Sequence, residues 1–144
     1  VSAPPGSRGA LVRAALVYVG LVFAVGFALG AVRVPILVPR LGERHAELLE
    51  MPFMLLAVYL AAGLVVRRFG AAVGARALPG VGGLALALLL GAELIVGVIL
   101  AGRDLAAYLA DRDPVSGAVY LLMLGVFAAM PWLRRGIAAD RDTR

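Results

Sequence analysis

Residues 81–101 read VGGLALALLLGAELIVGVILA, an apolar run of 21 residues interrupted by one charge, Glu93. A helix of that run is about 31 Å long at about 1.5 Å per residue, which matches the hydrocarbon core of a bilayer. The run therefore reads as a membrane span. It also places one carboxyl group in lipid, at a cost of about 2.5–3.5 kcal/mol on insertion scales.

Three more runs have the same character. Arg8 and Arg13 precede Ala14–Val32, whose 19 residues exceed a signal-peptide core of about 7–15, so it reads as an uncleaved helix despite Ala28-Leu29-Gly30, which mimics a cleavage site. A second helix starts near Glu43, just after Gly42, and stops at Arg67-Arg68. Pro52 lies about two turns inside it and predicts a kink. Between these two spans, Pro35 and Pro39 predict a break in regular helix. Pro79 suits the first turn of the third helix, which should end near Gly102. Asp113-Pro114 reads as a cap and first turn for the fourth span, Val115–Leu133, with Trp132, Arg134 and Arg135 as its interfacial anchor. In RDLAAYLADRD (103–113), Leu105, Tyr108 and Leu109 share one helical face, the mark of a short helix at the interface.

The expected fold is all-α: a four-helix transmembrane bundle with a short interfacial amphipathic helix between the third and fourth spans. Residues 1–9 form a Pro/Gly/Ser-rich tail, 10–135 one transmembrane domain and 136–144 a polar tail. Composition agrees, since 62% of the 144 residues are hydrophobic against about 45–50% in a soluble domain. Lysine, asparagine, glutamine and cysteine are absent, and the dominant residues use GC-rich codons, as in a GC-rich bacterial genome. A leading valine fits a GTG initiator. Without cysteine there is no disulfide, thiolate or Cys-ligated metal chemistry.

Arginine placement sets the expected orientation. Arg8, Arg13, Arg67, Arg68, Arg76, Arg134, Arg135, Arg141 and Arg144 fall on one side, nine in all. Arg33, Arg40, Arg44, Arg103 and Arg112 fall on the other, five in all. The positive-inside rule then puts both termini in the cytoplasm of a bacterial inner membrane. The basic side faces anionic lipid, and the basic pI is not a nucleic-acid signal because the arginines flank the apolar runs.

Three constellations are candidates for function. Glu93 lies about 13 Å from the acidic end of its helix and is either neutral or turned toward a partner or water. By depth, Tyr59, Arg33 and Tyr120 are its candidate partners, with a Glu93–Tyr59 hydrogen bond or a Glu93–Arg33 pair favoured. Its roles range from a polar clamp to a proton or cation pathway or a subunit-docking point. Glu43, Glu47 and Glu50 share one helical face that continues inward as Met54, Ala57 and Ala61. They read as an interfacial salt-bridge cluster, or as a cation-collecting mouth or oxygen ligands for a hard metal. Gly26 and Gly30, and then Gly83, Ala87 and Gly91, repeat every four residues and predict close helix packing, within the chain or to a partner.

No catalytic set is legible. Ser116, in DPVSG, has no adjacent histidine, and His45 is the chain's one histidine. A non-enzyme without a cofactor or metal is the expectation.

The stretches GAVRVPILVPRLGERHAELLEMPFML (30–55) and YLADRDPVSGAVYLLMLGVFAAMP (108–131) resemble small four-span inner-membrane proteins of GC-rich proteobacteria, a group with no assigned activity. The resemblance covers most of the chain beyond the tail and implies architecture and location only. Small multidrug-resistance transporters also have four spans, but their essential carboxylate is in the first helix. Here Ala14–Val32 holds no acid, so the chain is not assigned to that family.

The leading functional expectation is an accessory or scaffold protein that packs against itself or another membrane protein in the lipid bilayer. The alternative is a small proton- or cation-coupled transporter or channel that uses Glu93.

Overall fold

A computed structural model describes residues 5–100, 102, 104–111 and 113–142, with side chains described for 8–99, 102, 104, 106–107, 110–111 and 113–136. The order of elements is α1 (Pro5–Val32), a π-helical turn (Arg33–Leu37), α2 (Val38–Leu41), α3 (Glu43–Val73), a 3₁₀ turn (Ala75–Ala77), α4 (Leu78–Leu94), a second π-helical stretch (Ile95–Leu100), α5 (Leu105–Ala110) and α6 (Pro114–Asp142). The fold is an all-α four-helix bundle. Its four long helices are apolar enough to cross a bilayer, at 34, 31, 25 and 23 residues. The chain is built as a multi-pass integral membrane protein.

The helices form a ring in the order α1, α3, α6, α4, with α4 closing back on α1. Glycine makes the tight reversals possible. Gly42 and Gly74 both sit at φ +80 with extended ψ, a region that side-chain-bearing residues avoid. Each also donates its N–H to the carbonyl four residues back (Val38 and Gly70), closing the preceding helix. The expected start at Glu43 and the proline in the first turn of α4 are both present.

The expected break at Pro35 and Pro39 does not occur. Helical structure runs from α1 through α2 to Leu41. Pro35 lacks an N–H and crowds the carbonyl four residues back, and a wider π turn spans it without ending the helix. Pro39 lies in the first turn of α2, where its missing donor is not needed. The predicted face of Leu105, Tyr108 and Leu109 rests on side chains outside the described set, although the backbone there is helical in α5.

Packing is uneven along the bundle axis. In the arginine-rich half Ala14, Tyr18, Ala62, Val65, Val81 and Ala85 are fully buried. Gly82 is the tightest contact there: a Cβ on it would lie 1.8 Å from the Ala128 carbonyl oxygen, so α4 and α6 meet backbone to backbone. Toward the acidic end, α1 has no buried residue beyond Val22 and α4 none beyond Leu89. The small-residue stripes do less than expected. Gly26 touches the Met54 methyl at 3.4 Å, whereas Gly30, Gly83 and Gly91 have nothing within 4 Å, and Ala87 is exposed. Their faces meet no neighbouring helix, so they leave open space. The outer surface is carpeted with side chains such as Phe27, Leu121 and Leu122, about 70% exposed, as lipid contact requires.

Candidate functional site

The loose half of the bundle encloses a cavity of about 670 Å³. Tyr18 and Phe127 bear on its base from opposite corners of the ring. Their rings stack at 4.5 Å, Phe127 lines the cavity, and the Tyr18 hydroxyl donates to the Phe127 carbonyl at 2.6 Å. That bond satisfies the hydroxyl of a side chain with no exposed surface and ties α1 to α6 across the bundle.

Above that base the wall is mainly apolar, with Phe23, Met54 and Met123 prominent. Five polar side chains interrupt it: Arg33, Glu47, Glu50, Glu93 and Tyr120. Tyr120 on α6 donates its hydroxyl hydrogen to Glu93 Oε2 on the neighbouring α4. Arg33, at the start of the first π turn, faces two acids one helical turn apart on α3. Its Nη1 donates to Glu47 Oε1 at 3.1 Å, and its Nε lies 2.9 Å from Glu50 Oε2 as an ion pair without hydrogen-bond alignment. The cavity wall thus carries three carboxyl groups and one guanidinium.

The favoured partners of Glu93 therefore need correction. Arg33 goes to Glu47 and Glu50. Tyr59 goes to Arg134, whose guanidinium carbon lies 4.0 Å from the ring centroid and whose Nη1 donates to the phenol oxygen at 2.7 Å. The reason is depth. α3 is helical from Glu43, so Tyr59 lies about 24 Å along it and reaches the arginine-rich half. Arg134 points back toward the N-terminus of its own helix, as helical side chains do, and lies against Gly63, where a Cβ would collide with it at 2.2 Å. Tyr120, the third candidate, makes the bond to Glu93. Of the three acids on one face, Glu47 and Glu50 line the cavity, and Glu43 is exposed outside it. Among the described residues no group of three or more His, Cys, Asp or Glu is placed to hold a metal ion.

One polar contact at the acidic end was not legible in the sequence. Arg44 grips Asp113 with both Nε and Nη2, at 2.8–3.0 Å, tying the start of α3 to the start of α6. Asp113 also accepts the Ser116 and Val115 backbone N–H groups at 2.9 and 3.1 Å, which makes it the expected cap of α6. The Arg44 guanidinium first, and the Ser116 N–H second, hold its carboxyl well below the usual carboxylate range. Tyr18 was missed as well, although a signal existed: it is the one polar-tipped side chain within Ala14–Val32.

These features define a multi-pass membrane protein with a mainly apolar cavity among its helices, its wall interrupted by five polar side chains. Compared with protein-family models, curated proteins and solved structures, the chain matches none.

Proposed function

We propose that the protein is a small proton- or cation-coupled transporter or channel of a bacterial inner membrane, with both termini cytoplasmic. The observation that carries this reading is the position of Glu93. It sits on the wall of a cavity with Tyr120 bonded to it, not against closed packing. A carboxyl group at that depth is costly, and a cavity in which it faces other polar groups is the setting in which it can exchange a proton for a cation. The groups facing Glu93 across the cavity are Arg33 from the first π turn, Glu47 and Glu50 from α3, and Tyr120 from α6. Arg33 balances one acid, so the site favours positive charge. The Tyr120 hydroxyl donates to Glu93 Oε2 and fixes the direction in which the carboxyl group faces the cavity.

The test is ion flux into proteoliposomes containing the purified chain, followed with an internal pH dye under an imposed potential. Wild-type protein should carry a proton or cation current, and Glu93→Gln should abolish it while remaining a folded, monodisperse protein. Wild-type vesicles as tight as empty ones would overturn the reading.

The accessory or scaffold role has its own support. Gly83 and Ala87 form an exposed small-residue face on α4, open to another helix. Ala87→Leu would then disrupt a complex seen by crosslinking in membranes and leave flux unchanged.

A further inference from the structure

The cavity's rim is exposed on one side. Four of the residues lining it are exposed: Phe27 and Ala31 on α1, Val34 in the first π turn, and Val96 in the second π-helical stretch after α4. Every lining residue from α3 and α6 is buried or half-buried. The cavity is thus shut on the α3 and α6 side and open along the seam between α1 and α4. That seam is apolar and lies within the membrane-crossing lengths of both helices. Both flanking segments, Arg33–Leu37 and Ile95–Leu100, leave the α-helical path for π-helix where they border the opening. Such stretches recur at functional sites in helices.

The interior chemistry limits the occupant. The wall is mainly apolar and includes aromatic and thioether side chains (Phe23, Met51, Met54, Met123, with Phe27 at the rim), which disfavours a hydrated inorganic ion as the best fit. Three carboxyl groups against one guanidinium exclude an anion, and the aromatic faces add cation–π attraction. A volume of about 670 Å³ is in the range of sites for small organic molecules, about 300–1,000 Å³.

We propose that the cavity binds an amphiphilic organic monocation, which enters sideways from the bilayer through the α1–α4 seam and pairs with Glu93. This rests on the transport reading above, but it names a substrate class and a route that reading does not require.

The test uses two probes of one shape and opposite charge, tetraphenylphosphonium and tetraphenylborate, with purified wild-type protein in detergent and in nanodiscs. Tetraphenylphosphonium should bind saturably and tetraphenylborate should not. Glu93→Gln should weaken binding by about tenfold or more. Ala31→Trp and Val96→Trp, on the exposed rim, should slow association in nanodiscs several-fold, and Phe53→Trp, on the lipid-facing side of α3, should not. Equal binding of both probes, or none by wild type, overturns the substrate class. Unchanged association in both rim variants overturns the route. Absent probe binding together with a Glu93-dependent flux of protons or sodium would leave the transport reading standing and remove this inference alone.

Discussion

Tyr120 and Glu93, 27 residues apart in sequence, meet across the α4–α6 interface, with the phenol donating to the carboxylate. The pair separates two properties that mutation can address one at a time. Glu93→Gln keeps an oxygen that can accept from Tyr120 and removes the charge. Tyr120→Phe keeps the ring and removes the donor. Thermal unfolding in detergent should show Tyr120→Phe destabilised by about 1–3 kcal/mol, the cost of leaving a part-buried acceptor without its donor, and Glu93→Gln by less than about 1 kcal/mol. A larger loss in Glu93→Gln would make the carboxylate a structural clamp.

Arg33 holds Glu47 and Glu50 together. Replacing it leaves two half-buried acids on adjacent turns facing each other, so Arg33→Met should cost about 2–4 kcal/mol. The triple variant Arg33→Met, Glu47→Gln, Glu50→Gln removes the orphaned charges and should recover most of that loss. If the triple variant unfolds as readily as Arg33→Met, the cost lies in lost packing and not in unpaired acids.

Gly82 and Gly83 are neighbours with opposite expectations. A Cβ at 82 would overlap the Ala128 carbonyl, whereas one at 83 meets nothing within 4 Å. Gly82→Ala should destabilise by about 1–3 kcal/mol or separate α4 from α6. Gly83→Ala should be neutral or stabilising by up to about 1 kcal/mol through helix propensity. Comparable melting temperatures for the two variants would contradict the backbone contact at 82.

Asp113 predicts a pH dependence. Its carboxyl is held below the usual range in the fold by Arg44 and the Ser116 N–H, so the unfolded chain takes up the proton first as pH falls. The stabilisation is therefore complete above the unfolded value of about 3.9 and is lost as pH drops below it toward the lower folded value. Asp113→Asn should melt below wild type at about pH 7, and the gap should narrow below about pH 4. A gap that is constant across that range would mean that the charge of Asp113 contributes nothing.

The number and type of the spans, and the starts of α3, α4 and α6, were legible because each rests on local chemistry: long apolar runs, Gly42 before Glu43, Pro79 in a first turn, Asp113 before Pro114; α1 instead begins at Pro5, ahead of its apolar run from Ala14. The pairings inside the bundle were not. Counting residues from the helix ends put Tyr59 level with Glu93, but α3 begins about two turns earlier than the apolar run it carries, so Tyr59 lies deeper and meets Arg134. The Gly83–Ala87 stripe on α4 points outward for a related reason. Spacing gives a shared face but not its rotation about the helix axis, and Gly82 rather than Gly83 met the partner helix. The cavity arises where small residues such as Gly30, with nothing within 4 Å of its Cβ position, line the loose half of the bundle, a property of four helices together.

A proton and an organic cation share Glu93. Proton release on adding tetraphenylphosphonium to weakly buffered wild-type protein, across about pH 5 to 9, measures it directly. Release should be saturable, track cation binding and disappear in Glu93→Gln. Cation binding with no proton released at any pH in that range, or release undiminished in Glu93→Gln, would contradict it.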